Sequence, residues 1–372
     1  MNIISRDSML PLLRKLVETE SPSHDKEAVD RVGAIVAEEA HRIGASVDIM
    51  HRKDCGDLVL AKWGTGTGGI LLLCHMDTVF PIGTLAKMPF FEKDGKAFGP
   101  GVSDMKGGIV VTLAALESMN MDDLSLPVTV LFTPDEEIGS HFSEEAIVNF
   151  AKESSLVLVL EPGMPNGAIK TWRKGVGEFI VRTRGRAAHA GGDHENGRNA
   201  IEEMAHQVIA IQGMTNYQKG TTLNVGLIRG GIASNVVPDE AVVEVDFRVM
   251  ESEEAVRVVV GMQALHPVLI GTSVEVTGGL NRPPMPFTEN MRATFEKVKL
   301  MVLQHGIHLL AGGTGGASDA NLVAPLKIPV LDGLGPVGGE YHSEREFIIT
   351  ESLEERAKLL SIILREWKKA GV

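Results

Sequence analysis

The sequence predicts an α/β protein: a larger domain built on a mixed sheet, residues 1–173 and 282–372, interrupted by a smaller inserted α+β domain of ferredoxin-like order, residues 174–281. Three observations predict it. Apolar runs of strand length alternate with segments of helical periodicity over the first 173 residues, the pattern of a sheet covered by helices on both faces. From Lys174 the order becomes β-α-β-β-α-β, that of a split β-α-β unit. The prolines of "NRPPMPF", 281–287, then mark an exit from that unit. A chain of 372 residues is also long for one core, so two domains are the expectation.

The elements follow in order. Residues 6–18 and 25–43 carry helical periodicity, the second opened by the polar capping residues of "SPSHDKEAVDRV". "ASVDIM", "DLVLAKW" and "GILLLCH" read as strands. Between the last two, "GTGTGG" (64–69) has the spacing G-x-G-x-x-G. A dinucleotide loop must lead into a helix, and here a strand follows, so a hairpin turn is predicted instead. "GGIVVTLAALESM" is a helix, "PVTVLFT" a strand, 143–151 a helix and "SLVLVLE" a strand. In the inserted domain, "GVGEFIVRTRGR" alternates like a half-exposed strand and "GRNAIEEMAHQVIAI" is helical. "TTLNVGLIRGG" and "EAVVEVDFRVM" are strands, "SEEAVRVVVGMQAL" a helix and "TSVEVTGGL" the last strand. After the prolines come a helix (289–305), a glycine-rich segment, the strand "IPVLDGLG" and a terminal helix from about 351 to 368.

Composition narrows the function. A net charge of −13 with no basic run argues against nucleic acid or an anionic membrane as partner. No apolar stretch reaches the length of a membrane span. "MNIISRDSMLPLLRKL" lacks the apolar stretch and cleavage site of a signal peptide, so a cytoplasmic protein is expected. Cys55 and Cys74 are the only cysteines, too few for a disulfide framework or a cysteine-rich zinc site. Any metal must therefore be held by histidine and carboxylates. No G-x-x-x-x-G-K-[ST], H-E-x-x-H or G-x-S-x-G occurs.

Polar residues recur where the strands end, the edge at which open α/β sheets place their sites. "LLLCHMDTVF" (71–80) closes on His75 and Asp77, two positions apart, so that on a strand both face one side. A metal-ligating histidine commonly donates its other ring N–H to a carboxylate, although a solvated strand end would look the same. Asp104 lies in "GPGVSDMKGG" before a helix, which it could simply cap. Asp135, Glu136 and Glu137 follow a strand in "FTPDEEIGS", Glu161 ends "LVLVLEPG", and His342 sits in "GGEYHSERE". Each alone also reads as an ordinary exposed polar residue. Five strand ends converging on one sheet edge read differently. Two imidazoles and several carboxylates match the ligands of zinc, and an acidic residue between them could bridge a metal pair.

"HMDTVFPIGT", "GPGVSDMKGG", "TPDEEIGS", "LEPG", "GRAAHAG" and "YHSE" occur together and in this order. With them the chain, from about Ser21 to the C-terminus, resembles the co-catalytic zinc exopeptidases that include glutamate carboxypeptidase, acetylornithine deacetylase and succinyl-diaminopimelate desuccinylase. "GTLAKMPF", "GRAAHAGG" and "ASNVVPDEAVVEVDFRV" look most like the glutamate carboxypeptidases. The resemblance implies a zinc-exopeptidase catalytic domain with an inserted dimerisation (lid) domain, and two zinc ions per subunit, replaceable by cobalt or manganese. His75 and Glu161 would hold one ion and Glu137 and His342 the other, with Asp104 bridging them and a cis peptide bond joining it to Met105. Asp77 would orient His75, and Glu136 would be the general base. Spacing alone does not choose between Glu136 and Glu137; that order comes from the family.

The resemblance further implies that His189 reaches the oxyanion in the partner subunit's site, and that Arg248 and Asn235 contact the substrate. An arginine fork suits a carboxylate. In the loop "GGTGGASDAN" (312–321), around Gly313 and Ser318, backbone N–H groups could bind a carboxylate. Glu161, rather than Asp, fits the carboxypeptidases and deacylases and argues against the tri- and dipeptidases. The expected activity is cleavage of an amide in a small peptide, with release of a C-terminal glutamate-like residue. Deacylation of an N-acyl amino acid is the alternative within enzymes, and a non-catalytic ligand-binding protein on the same scaffold is the alternative outside them.

Overall fold

The computed structural model describes residues 4–368. The chain divides into two compact units. One comprises the chain up to Trp172, Phe287–Thr314 and the chain from Ser318 onward; the other comprises Arg173–Pro286 with Gly315–Ala317.

The first unit is a mixed α/β fold. Its main sheet has six strands in the order Ser46–Met50, Leu58–Trp63, Val128–Thr133, Ile70–His75, Leu156–Val159, Val330–Leu331. The last four are mutually parallel, and Leu58–Trp63 runs against its neighbours on both sides. Ile70–His75 is buried at every position and sits between two parallel neighbours, which is why it reads as a continuous apolar run rather than an alternating one. Gly107–Glu117 is apolar around nearly its whole circumference and is buried with it. Its Gly108 lies so close to the sheet that a Cβ there would come within 2.1 Å of the Leu160 carbonyl oxygen. The helix that follows Asp104 is thereby seated on the strand that leads to Glu161.

The hairpin expected at 64–69 is absent. Val128–Thr133 lies between the two strands that this loop connects and pairs with both of them. Gly69 passes against the start of that inserted strand, where a Cβ would meet the Pro127 carbonyl oxygen at 2.3 Å, and Ile70 N–H donates to the same oxygen. The strand expected over "IPVLDGLG" shrinks to Val330–Leu331 at the sheet edge. The helices expected to reach 305 and about 368 end at Leu303 and Glu366. A second, four-stranded sheet of very short strands, Gly338–Gly339, Phe347–Ile349, Lys96–Phe98 and Phe91–Lys93, has no periodic signature in the sequence.

The second unit carries a four-stranded antiparallel sheet in the order Thr222–Gly230, Glu240–Val249, Gly175–Arg184, Ser273–Arg282. Its two central strands bury every second residue, among them Phe179, Val181, Val243, Val245 and Phe247. Met204 of Ala200–Gln212 and Val258 and Met262 of Ser252–Gln263 close the same core. The last strand runs on through Arg282, two residues beyond Leu280, where the sequence pattern ended it. Among the described residues of the chain, no helix is long and apolar enough to cross a membrane.

Candidate metal centre

Strand register brings the first polar groups together. Ile70–His75, Val128–Thr133 and Leu156–Val159 are parallel and end at one edge. His75 pairs with Thr133, so the chain beyond Thr133 delivers Asp135, Glu136 and Glu137 just past the imidazole. Leu73 pairs with Val159, so Glu161 emerges level with His75. The Nε2 of His75 lies 3.5 Å from Glu161 Oε1 and 3.1 Å from Asp104 Oδ1.

Asp104 enters from the irregular turn Val102–Lys106, and its bond to Met105 is cis. While its Oδ1 faces His75, its Oδ2 lies 3.4 Å from Nε2 of His342, which is also 3.3 Å from Glu137 Oε2. His342 is held at φ 58°, a left-handed conformation uncommon for a non-glycine residue. Single ligand atoms of His75, Asp104 and Glu137 all lie within 4.8 Å of one another, and so do those of His75, Glu136 and Glu161.

The arrangement suits cations. Asp104 is half-buried, and desolvation opposes its charge, yet its bonds to His342 and His75 hold its carboxyl below the usual range. Burial and the nearby Asp104 push Glu137 up to about 7. Bonds to Asp104 and Glu137 raise His342 to about 11. Burial opposes the charge on His75, but Asp104, Asp77 and Glu161 together still raise it. The high proton affinity of both imidazoles reflects the negative potential at their Nε2 atoms, and that potential also favours divalent ions. Histidine nitrogen and carboxylate oxygen are donors that zinc accepts, so the residues present fit a pair of such ions.

Asp77 is fully buried behind this edge. Nδ1 of His75 lies 3.0 Å from its carbonyl oxygen and 3.4 Å from its Oδ1, which leaves Nε2 to face the carboxylates. The Asp77 carboxylate also accepts the backbone N–H of Glu136 at 3.2 Å, that of Glu137 at 3.1 Å and the hydroxyl of Ser23 at 2.7 Å.

Sequence reasoning missed several supporting groups. Ser23 is one; Lys170 is another, buried with its Nζ 4.0 Å from Glu161 Oε2. Asp135, which the sequence did single out, accepts Phe142 N–H at 2.7 Å and the hydroxyl of Ser143, which pins the acidic loop. Glu346 accepts the N–H groups of Ser103 and Asp104. Burial and Asp104 push its carboxyl up to about 8. Glu346, inside the quoted "GGEYHSERE", left a local signal: a carboxylate four residues after the histidine.

In the first unit, Gly313 lies so close to the Trp172 ring that a Cβ would meet it at 2.2 Å. Ser318 is fully buried, with its hydroxyl 2.6 Å from Asp332 Oδ2 and its N–H on Asn321 Oδ1. In the second unit, His189 is exposed on a short strand paired with Val236–Val237. Its Nδ1 accepts the N–H groups of Gly191 and Gly192 at 3.1 and 3.0 Å, so the ring proton sits on Nε2. Asn235 is exposed beside it, its carbonyl accepting Ala190 N–H at 3.0 Å. Arg248 is half-buried and grips Asp246 through Nε at 3.0 Å and Nη2 at 2.7 Å.

Residues 71–366 match the model of Peptidase family M20/M25/M40. Carboxypeptidase G2 of Pseudomonas sp. (strain RS-16) is 30% identical over 370 residues, which cover 96% of this chain and 89% of that protein. Acetylornithine deacetylase of Proteus mirabilis (strain HI4320) is 30% identical over 254 residues, 62% of this chain and 64% of that one. The crystal structure of aminopeptidase PepT from Bacillus cereus superposes with a TM-score of 0.78 at 21% identity, covering 98% of this chain and 99% of that chain, a likeness of fold.

Proposed function

We propose that this chain, which belongs to Peptidase family M20/M25/M40, is a dizinc carboxypeptidase that releases a C-terminal glutamate-like residue from a small peptide. The observation that carries the proposal is Asp104, whose two oxygens face two different imidazoles as a bridging carboxylate must. The relative named carboxypeptidase G2 supports the peptidase reading over nearly the whole chain.

Two divalent ions at this edge would lower the pKa of a water and polarise the amide carbonyl. His75, Glu161, Glu137 and His342 would hold them, with Asp104 between. Asp77 fixes the tautomer of His75 and aims the acidic loop. Glu136 takes the proton of the attacking water and returns it to the leaving nitrogen. His189, its ring proton on Nε2, is set to donate to the developing oxyanion. In this reading it serves the partner subunit's site, in a homodimer formed through the unit that carries it. Arg248, already aligned by Asp246, binds the substrate α-carboxylate, and Asn235 contacts the substrate beside it.

The acetylornithine deacetylase relative favours a second reading, removal of an N-acyl group from an amino acid. Zinc content measured with hydrolysis of a panel of dipeptides and N-acyl amino acids tests both. Peptides with C-terminal glutamate turned over fastest would support the first reading. N-acyl amino acids turned over fastest would support the second, and a protein without bound metal or hydrolysis would refute both.

A further inference from the structure

One carboxylate joins two segments that each carry a proposed metal ligand. Glu346 is fully buried and lies four residues after His342, just before the strand Phe347–Ile349. Its Oε1 accepts the backbone N–H of Ser103 at 2.8 Å and of Asp104 at 3.0 Å. Those two residues belong to the short turn that leads into Gly107–Glu117. Donors at the head of a helical segment have no partner inside it and need an acceptor from outside.

Glu346 is itself anchored. Its N–H donates to the Ser343 carbonyl at 3.1 Å, which closes the turn behind His342, and the next residue, Phe347, pairs with both Phe98 and Gly339. Asp104 differs from the ligands delivered by the parallel strands, because its place is set by this turn and not by sheet register. Its two oxygens must nevertheless meet imidazoles from separate elements. We propose that Glu346 is a positioning residue of the metal centre: through its two hydrogen bonds it fixes the Asp104 backbone relative to the His342 turn, so that the Asp104 carboxylate spans both histidines. The inference rests on the metal-centre reading above and adds a residue to it.

The geometry separates position from acidity. Oε1 makes both bonds, whereas Oε2 is buried and has no hydrogen-bond partner among the described residues. In Glu346→Gln an amide oxygen can take the place of Oε1 and keep both bonds without an ionisable group. In Glu346→Asp the carboxyl stays, but the side chain is one methylene too short to reach. Zinc and cobalt affinities by competition with a chelator, the absorption spectrum of the cobalt form, and the melting temperature of metal-free protein are compared with wild type. Glu346→Gln is expected to keep wild-type affinity and spectrum. Glu346→Asp is expected to lose about 10-fold or more in affinity and to change the cobalt spectrum, with the metal-free melting temperature close to that of Glu346→Gln.

Glu346→Asp binding as wild type does, Glu346→Gln falling as far as Glu346→Asp, or losses that only follow a drop in metal-free stability would each overturn the proposal. A wild-type protein that binds neither ion would remove the metal-centre reading and this one with it. A wild type that binds both ions while Glu346→Asp matches it removes only this one.

Discussion

Asp77 accepts the backbone N–H of Glu137 at 3.1 Å while its other carboxylate oxygen stands 3.4 Å from the His75 ring. One buried residue thus sets both the tautomer of a proposed ligand, chiefly through its backbone carbonyl 3.0 Å from Nδ1, and, through its carboxylate, the position of the acidic loop beside it. Asp77→Asn offers a single accepting oxygen and turns an NH₂ group towards a donor. Metal affinity is expected to fall about 10–100-fold, with a stability loss of about 1–3 kcal/mol from the unsatisfied buried donor. Zinc titration and chemical denaturation of the variant check both. Wild-type affinity would remove Asp77 from the metal centre.

Glu136→Gln should separate chemistry from binding. Glutamine keeps the shape, and the N–H bond of residue 136 to Asp77 is made by the backbone. Zinc content should therefore stay at the wild-type level while turnover drops about 10²–10⁴-fold, the usual contribution of a general base. Metal analysis and turnover on the same sample decide it. Full zinc with near-normal turnover would transfer the base to another group.

Some of this centre was legible in the sequence for physical reasons. The strand ending at His75 is an unbroken apolar run bounded by turn residues, because a strand between parallel neighbours is buried on both faces. His75 and Asp77 drew attention through their spacing alone. Pairing was not legible: the strand that separates Leu58–Trp63 from Ile70–His75 comes more than fifty residues later in the chain, and a local pattern cannot show it. Strands of two or three residues such as Phe91–Lys93 are too short to show alternation. Glu346 reaches Ser103 across 243 positions, and Ser23 reaches Asp77 across 54. Such contacts leave no trace in a single sequence unless a motif already marks the residue.

Acid should weaken the second unit through Glu254. Its carboxylate is bonded to Arg257 at 2.7 Å and to the Thr221 hydroxyl at 2.7 Å, which lowers its carboxyl from 4.5 to about 2. A lowered folded pKa means stability that is fully present above about 4.5 and lost as pH falls towards about 2. The difference in melting temperature between wild type and Glu254→Gln should be constant from neutral pH to about 5 and shrink below about 4.5. A difference that does not change between pH 6 and pH 3 would mean the carboxylate charge contributes nothing.

Arg248→Ala should discriminate between substrates. The guanidinium is already aligned by Asp246 through Nε and Nη2, and a substrate carboxylate would meet a group held in place. Loss of a charge-assisted contact should cost a peptide acid about 2–5 kcal/mol in kcat/KM, and its C-terminal amide much less. Asp246→Asn should lie between wild type and Arg248→Ala, since it frees the fork without removing it. An equal loss on acid and amide would show that Arg248 does not recognise the carboxylate.

The proposed role of His189 in a partner's site makes the assembly itself testable. The edge strand Thr222–Gly230 leaves Leu227 and Ile228 55% and 60% exposed, and Ile209 on the helix Ala200–Gln212 is 73% exposed, apolar surface that a second copy could cover. If His189 acts across such an interface, each site uses Glu136 of one subunit and His189 of the other. Glu136→Ala and His189→Ala would each be nearly inactive alone. In a mixed dimer one site loses both groups and the other keeps both. Random pairing on co-expression makes about half of the dimers mixed, and half of their sites are intact, so roughly a quarter of wild-type activity should return. If His189 serves its own subunit, every site in the mixed dimer is damaged. Mixed dimers recovered with two different affinity tags and found as inactive as the parents would rule out the exchange, and a protein that sediments as a monomer would rule out the dimer.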